Sequence, residues 1–310
     1  MKVTQFTLLA AGLLTASTAS AVINIVTIQV GNAGNAGNAG KGGVGYDYHI
    51  GAYEVTNSQY TAFLNATAAT DTHGLYRSNM SSSTHGGITR AGNSGSYTYS
   101  VKSDFGDKPV NYVNFWDAAR FSNWLTTGGT ESGVYNLNGT TAPTNNTITR
   151  DATAWSNGGV AIASENEWYK AAYYDGNDGY TLYPSQSNSI ATADANYNNS
   201  VGTVTDIGTY ATDPSYYGTF DQGGNVWEWN DTIVGNVYRG RRGGSFNSGD
   251  ANLQSSFRSY GGNPAALEGN YLGFRVSSLA PIPEPSTYAA IFGSLALAIA
   301  IVRRKGRGTL

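Results

Sequence analysis

The stretches Gly224-Asn225-Val226-Trp227-Glu228-Trp229 and Arg242-Gly243-Gly244-Ser245-Phe246 stand in the last third of the chain. Trp227 and Trp229 alternate with Glu228, so on a strand both indoles lie on the same face. Because tryptophan buries a large apolar area, core packing is the usual role of such a pair. The first stretch therefore predicts a strand with one face in the core.

Three helices can be placed outward from this strand by their capping chemistry. Thr56–Gln59, Asn114–Asp117 and Ser164–Glu167 each combine an N-cap side chain with a polar acceptor three residues later. Turn-rich sequence surrounds these segments, with short strands predicted at Thr147–Thr149, Val160–Ala163 and Phe274–Val276. Together these elements predict one α+β domain over residues 46–279, with much irregular structure.

The composition excludes several classes of function. Charged residues make up 13% of the 310 residues and the net charge is −3, so we expect no basic surface and no nucleic-acid partner. The chain has no cysteine, which excludes disulfides, thiolate metal sites and thiol nucleophiles. The 40 glycines favour loops over long helices, while the aromatic content of 12% provides area for a folded core.

The N-terminus has the pattern of a secretory signal. Lys2 precedes an apolar stretch at residues 6–14, and the small residues Ala19-Ser20-Ala21 form a cleavage-like triplet. We predict a signal peptide at residues 1–21, with a buried N-terminal helix as the alternative. Residues 31–40 then repeat Gly-Asn-Ala, so this tract is predicted to be a flexible lead-in or a long loop, and residues 22–45 a Gly/Asn-rich lead-in to the domain.

The C-terminus, residues 280–310, has three parts in a fixed order. A proline-rich hinge with Pro283-Glu284-Pro285 precedes an apolar run at residues 288–302, and arginine and lysine residues follow. Positive charge beyond a membrane helix holds that end in the cytoplasm. The arrangement resembles the PEP-CTERM sorting tail of Gram-negative bacteria. The resemblance implies export across the inner membrane, processing by exosortase-type machinery, and delivery to the cell surface or extracellular matrix; a plain single-span anchor is the alternative.

Several segments in chain order resemble the formylglycine-generating, or sulfatase-modifying-factor, family. They are Ile50–Tyr60, Lys108–Val113, Ala163–Trp168, Gly224–Trp229, Arg242–Phe246, Phe257–Arg258 and Leu272–Arg275. Each segment alone is weakly specific, but all of them in this order are strongly specific. The resemblance implies a single α+β domain with the irregular, loop-rich sulfatase-modifying-factor fold, which is related to C-type lectins.

The resemblance also implies which chemistry the chain lacks. Catalytic members bind copper with two cysteines, and Asp250 and Ser255 stand approximately at those positions here. Neither side chain is a soft ligand for cuprous copper. Another branch uses a histidine-rich iron site, but His49, His73 and His85 lack the spacing of ligands on one helix face. We therefore expect no copper and no iron.

Two hypotheses of function follow from this loss. The leading one is a non-catalytic member of the family, with a ligand-binding or structural role at the cell surface. The alternative is an enzyme of the family that uses Asp250, Ser255 and Arg258 instead of thiol chemistry.

Calcium is the metal that the resemblance favours, because family members carry it in this loop region and turn oxygens suit a hard cation. The candidate ligands are Asn225, Glu228, the main-chain oxygens of Gly224 and Val226, and, for a second ion, Asn196. Glu228 has an alternative interpretation as a buried carboxylate that pairs with an arginine such as Arg242 or Arg275.

A polysaccharide is the candidate ligand. Exposed aromatic rings stack on the apolar faces of sugars, and polar side chains bind their hydroxyl groups. The candidate residues are Tyr216, Tyr217, Tyr260 and Asn263. The alternative is that the tyrosines cover the edges of the core with their apolar rings.

Overall fold

The computed structural model of the protein describes residues 23–139, 148–235, 238–259 and 265–282. The predicted signal peptide at residues 1–21, the apolar run at 288–302 and the basic end of the tail lie outside the described residues. Within the described part, no helix combines the length and the apolar character that crossing a membrane requires.

Short elements alternate with loops along the described chain. The helices are α1 (Asn57–Thr67), α2 (Asn79–Ser82), α3 (Phe115–Thr127), α4 (Ala152–Ser156) and α5 (Glu165–Tyr173), and a 3₁₀ turn spans Asp250–Leu253. The strands are β1 (Thr27–Val30), β2 (Tyr48–Gly51), β3 (Ile88–Ala91), β4 (Thr98–Val101), β5 (Ala161–Ile162), β6 (Trp227–Val234), β7 (Tyr238–Arg242), β8 (Leu272–Phe274) and β9 (Val276–Ser278).

These strands form three small sheets in the described residues. One sheet has the order β1-β2-β9-β5, β3 pairs with β4, and β6 lies between β7 and β8. β6 is antiparallel to β7 and parallel to β8. Since β8 and β9 belong to different sheets, the chain changes sheet at Arg275. Small sheets, short helices and many loops in a single domain confirm the predicted α+β class.

The three capping predictions are confirmed. Reciprocal capping boxes with Thr56, Asn114 and Ser164 as N-caps begin α1, α3 and α5, respectively. In each box the N-cap side chain accepts from the third helical N–H, and the side chain at that third position accepts from the N-cap N–H. Two orphan donors at each helix start are satisfied within four residues, which is why local sequence is sufficient to place them.

The strand predictions are only partly right. Residues 160–163 contain the two-residue strand β5, but Ile148 and Thr149 lie in no strand, and Thr147 is outside the described residues. The predicted strand Phe274–Val276 is interrupted at Arg275. The interruption has a physical reason: the fully buried Arg275 side chain turns inward to an acidic partner.

Trp227 and Trp229 pack in the core, as predicted. Their side chains belong to the main apolar cluster, with exposed fractions of 9% and 0%. The Trp229 indole N–H donates to the Val113 carbonyl at 3.1 Å, so its one polar atom is satisfied. The strand with alternating tryptophans therefore fixes the centre of the domain.

Residues 23–45, predicted to be a lead-in that is either flexible or a long loop, contain strand β1 followed by a long loop. β1 pairs with β2 from Thr27 opposite Gly51 to Val30 opposite Tyr48. The Gly-Asn-Ala repeat then packs on tyrosines far away in sequence. The Asn35 amide donates to the Tyr180 hydroxyl at 2.6 Å, and the Asn38 amide donates to the Tyr169 hydroxyl at 3.0 Å.

Gly42 closes this loop against the same two tyrosines. Its φ is +79°, and a β-carbon on it would lie 2.7 Å from Tyr169 Cδ1 and 2.7 Å from the Tyr180 hydroxyl oxygen. Both the left-handed backbone and the close approach require glycine. The asparagines supply donors and the glycine allows contact, so the repeat is a specifically docked loop.

We expect Gly42→Ala to lower the free energy of unfolding by about 2–4 kcal/mol, because strain in the left-handed region and overpacking against Tyr169 add together. Gly40→Ala is a matched control, since Gly40 has φ +76° with no atom within 4 Å of a β-carbon. It should cost only about 1 kcal/mol. Urea unfolding measures both values, and equal losses would contradict the docking of the loop.

Candidate functional site

The centre of the domain contains a bidentate ion pair between Glu228 on β6 and Arg275 between β8 and β9. Arg275 Nε lies 2.6 Å from Glu228 Oε2, and Arg275 Nη2 lies 2.7 Å from Oε1. The Trp168 indole N–H donates to Oε2 at 2.8 Å. Both charged side chains are fully buried, so the structure places Glu228 in the arginine pair that the sequence left open as an alternative.

Arg275 also binds main-chain oxygens from other parts of the chain. Its Nη1 donates to the carbonyls of Gly51 and Ala52, and its Nη2 donates to the carbonyl of Phe220. The guanidinium therefore joins the end of β2 and the loop before β6 to the sheet that carries Glu228. Trp168 on α5 binds the same Glu228 carboxylate. The Glu228–Arg275 pair therefore connects α5, β6, the end of β2 and the loop before β6.

Two further carboxyl groups lie close to this pair. The Asn225 amide donates to Glu54 Oε1 at 3.2 Å, while Glu54 Oε2 is buried and has no hydrogen bond from the described residues. Burial, and then the charge of Asp221, raise the pKa of Glu54 well above its usual value. Burial also raises the pKa of Asp221 to about 6, although the Gly208 N–H and Arg275 act in the opposite direction.

The residues predicted to bind calcium are only partly available to a cation. Asn225 Oδ1 accepts from the Thr205 N–H at 3.0 Å, and Asn196 Oδ1 is buried without a hydrogen bond from the described residues. Both Glu228 oxygens are bonded to Arg275, so as placed Glu228 does not fit a calcium ligand. In the described part of the chain, no three acidic or histidine side chains are grouped to hold a metal. Calcium at this turn stays a prediction.

The alternative catalytic residues Asp250, Ser255 and Arg258 are not joined to one another by hydrogen bonds in the described structure. Asp250 is exposed at the start of the 3₁₀ turn, and its carboxylate accepts from the Ala251 N–H. The Ser255 carbonyl accepts from Arg242 at 2.9 Å. A nucleophile needs a base within hydrogen-bond reach, and these three residues do not form such a pair.

Arg258 instead binds Glu165, the first residue of α5, a partner that the sequence analysis did not identify. Arg258 Nε lies 2.6 Å from Glu165 Oε1, and a second bond joins Arg258 Nη2 to Oε2. Arg242, which is fully buried, donates from Nε to the same Oε1 at 2.8 Å. Two guanidinium groups share one carboxylate. The capping box at Ser164 indicated where Glu165 lies, but only the distant arginines reveal its role.

The predicted sugar-binding tyrosines Tyr216 and Tyr217 lie next to each other, with ring centroids 5.0 Å apart and edge-to-face geometry. Tyr216 is 45% exposed, whereas Tyr217 is partly buried and stacks on Tyr174. A β-carbon on Gly176 would lie 2.4 Å from the Tyr216 ring, so glycine allows the ring to lie against the backbone. Tyr260 and Asn263, the other two predicted residues, lie outside the described residues.

The tyrosines continue as a row of ring contacts across the surface of α5. Tyr174 contacts Tyr216 at 5.8 Å and Tyr180 at 5.7 Å, and Tyr180 contacts Tyr169 at 5.2 Å. Part of this row covers the core, as the alternative interpretation expected, because Tyr169 and Tyr174 are each only 2% exposed. The outer member, Tyr216, presents its ring to solvent. The row therefore contains the buried rings of Tyr169 and Tyr174 and ends at the solvent-exposed ring of Tyr216.

A separate cleft of about 370 Å³ lies between residues 23–26 and the start of α1. Its walls are mainly apolar, and Glu54, Gln59 and Asp107 contribute polar residues. None of the sequence-predicted site residues that the structure describes lines this cleft. No motif in the sequence indicated this cleft.

Residues 11–279 match the family of sulfatase-modifying factor enzyme 1-like domains. Among solved structures, Treponema denticola variable protein 1 is similar at 19% identity with a TM-score of 0.54; the match covers 84% of this chain and 98% of that one. The crystal structure of CarF is similar at 21% identity with a TM-score of 0.58, covering 83% of this chain and 99% of that one. No curated protein sequence matches significantly. At these identities the solved structures show a common fold.

We expect Asp221→Asn to stabilise the protein above pH 6. The folded-state pKa of about 6 lies above the ordinary value of 3.8, so the folded state holds the proton more tightly. The stability that this proton provides is complete below about pH 4 and is lost as the pH rises through 6. The free energy of unfolding of the variant should therefore exceed that of wild type by up to about 3 kcal/mol at pH 7.5 and by little near pH 4.

Urea unfolding across this pH range checks the prediction. Asp104→Asn is the control, because Asp104 is exposed and outside the central cluster. A stability difference between wild type and Asp221→Asn that did not change with pH would show that the Asp221 carboxyl group is ionised throughout.

Proposed function

The chain belongs to the family of sulfatase-modifying factor enzyme 1-like domains, and we propose that it is a non-catalytic member that binds a polysaccharide at the cell surface. The absence of cysteine supports the first half of the proposal, because copper-dependent formylglycine formation uses a cysteine pair. The family fold supplies a rigid frame, but fold alone does not determine function. The other half of the proposal, polysaccharide binding, depends on the exposed Tyr216.

The observation that carries the proposal is the exposure of Tyr216 on a rigid base. Its ring contacts Tyr174 and Tyr217 edge to face and lies against Gly176, so its orientation is fixed before any ligand arrives. A fixed aromatic ring loses little conformational entropy on binding. Its exposed face offers the flat apolar surface on which the C–H face of a sugar ring packs.

Export is part of the proposal and rests on the two ends of the sequence. The signal-like residues 1–21 direct the chain across the inner membrane, and the PEP-CTERM-like residues 280–310 direct it to exosortase-type sorting machinery. The apolar run at 288–302 holds the chain in the membrane before processing. A protein sorted in this way reaches the surface or matrix of a Gram-negative bacterium, where exported polysaccharide is available.

An enzyme that uses Asp250, Ser255 and Arg258 is the weaker candidate. Arg258 binds Glu165 through Nε and Nη2, the Asp250 carboxylate accepts from the Ala251 N–H, and no hydrogen bond in the described structure joins either residue to Ser255. A purely structural role remains the outcome if no ligand binds. Calcium, which we retain as a structural ion of this proposal, would add rigidity without adding redox chemistry.

We expect Tyr216→Ala to weaken binding to an exported polysaccharide by about tenfold, since the loss of one stacking ring removes about 1 kcal/mol or more. Tyr216→Phe keeps the ring and should bind within about twofold of wild type. Affinity electrophoresis in gels that contain each of a panel of exported polysaccharides measures the change. Val201→Ala removes an exposed apolar group elsewhere and controls for non-specific adhesion.

Equal migration of all four proteins in every gel would remove polysaccharide binding and leave a structural role. If the polysaccharide gel slows Tyr216→Ala as strongly as wild type, the polysaccharide binds elsewhere on the surface.

The enzymatic alternative has its own test. We expect the purified protein, incubated with copper or iron and a cysteine-containing sulfatase peptide, to form no aldehyde, because no thiolate is present to hold cuprous copper. Elemental analysis should find copper and iron far below one ion per chain. Stoichiometric copper or iron together with peptide oxidation would establish the enzyme instead.

A further inference from the structure

A cluster of charged side chains at the start of α5 contains more cations than anions. Glu165, 2% exposed, is shared by Arg242 and Arg258, and Lys41 is the next cation. The backbone of Gly42, next to Lys41, donates to the Asn166 side chain at 3.1 Å, which places this loop at the start of α5. Three cations therefore face one carboxylate.

Lys41 differs from the other lysines and arginines of the described residues. Each of the others forms an ion pair or donates a hydrogen bond to an oxygen, as with Lys108 to Asp206 and Lys170 to the Asn32 carbonyl. No described residue accepts a hydrogen bond from the Lys41 ammonium group. Burial, and then the charges of Arg242 and Arg258, lower the pKa of Lys41. The charge of Glu165 acts in the opposite direction, but that carboxylate also pairs with Arg242 and Arg258, so burial and the two arginines prevail.

The geometry also connects Lys41 to the tyrosine row. The Tyr180 hydroxyl donates to the Gly42 carbonyl at 3.0 Å, so the residue after Lys41 touches the row directly. On the other side, the Arg242 guanidinium lies 5.0 Å from the centre of the Tyr169 ring. From Tyr180 the row continues through Tyr174 to the exposed Tyr216. A row of ring contacts therefore connects the charged cluster to the exposed Tyr216, although Tyr169 and Tyr174 within the row are buried.

We propose that Lys41 and Arg258 bind the anionic groups of an acidic polysaccharide whose sugar rings stack on Tyr216. This assignment rests on the proposed function and names the class of its ligand, a glycan with carboxylate or sulfate ester groups. Arg258 is 27% exposed and keeps its guanidinium oriented by Glu165, so it presents a fixed donor to an anion. Lys41 supplies a mobile charge beside it. A neutral glycan would leave the surplus charge uncompensated.

The experiment measures binding of the purified protein to polygalacturonate, dextran sulfate and neutral dextran by affinity electrophoresis. Lys41→Gln should weaken binding to an acidic polymer about fivefold and leave neutral dextran unchanged. Lys108→Gln is the matched control, because it removes the same charge from a lysine that has its own acidic partner. It should leave all three polymers within about twofold. The polygalacturonate and dextran sulfate gels distinguish carboxylate from sulfate recognition.

The possible failures can be told apart. Equal weakening by Lys41→Gln and Lys108→Gln would show a general effect of net charge and overturn the site. Binding that depends on Tyr216 but shows no preference for acidic polymers would overturn the site and keep the proposed function. No binding to any polymer would overturn both. Arg258→Lys, which keeps a charge near Glu165, should bind the acidic polymer more weakly than wild type while its melting temperature remains within a few degrees.

Discussion

The pair between Glu228 and Arg275 is the interaction on which the rest of the structure depends. Arg275 lies where the chain leaves one sheet and enters another, and its guanidinium also binds carbonyls at Gly51, Ala52 and Phe220. A buried ion pair adds little net stability, because desolvation offsets the attraction. Its value here is geometric: the bonds of one planar group can be satisfied only when both sheets and the loop before β6 take their native positions.

The carboxyl groups beside this pair outnumber the one guanidinium that they surround. Glu54, Asp221 and Glu228 surround one guanidinium, and burial raises the pKa of the first two. A proton on Asp221 relieves this excess of negative charge, and a calcium ion nearby would relieve it as well. The structure assigns Glu228 to the arginine, and calcium at this turn stays a prediction.

Hydrogen bonds between residues close in sequence were predictable, and those between residues far apart in sequence were not. The capping boxes at Thr56, Asn114 and Ser164 are complete within four residues, so the sequence contains all that is needed to place the helices. The Gly-Asn-Ala repeat has the composition of a linker, and two of its partners, Tyr169 and Tyr180, lie more than a hundred positions away. Composition therefore left a flexible lead-in and a long loop open, and could not show where the loop docks.

The same loop brings the proposed binding residues together on a scaffold that has no cysteine. By docking on Tyr180, the repeat carries Lys41 to the start of α5, where Arg258 and Glu165 already meet. Neither the charge nor the aromatic row makes a specific site alone: charge attracts at long range without choosing a ligand, and an aromatic ring accepts many sugars. The proposed ligand would therefore need both an anion and a flat apolar face. Under that proposal, specificity depends on a loop that the sequence identifies only as a repeat.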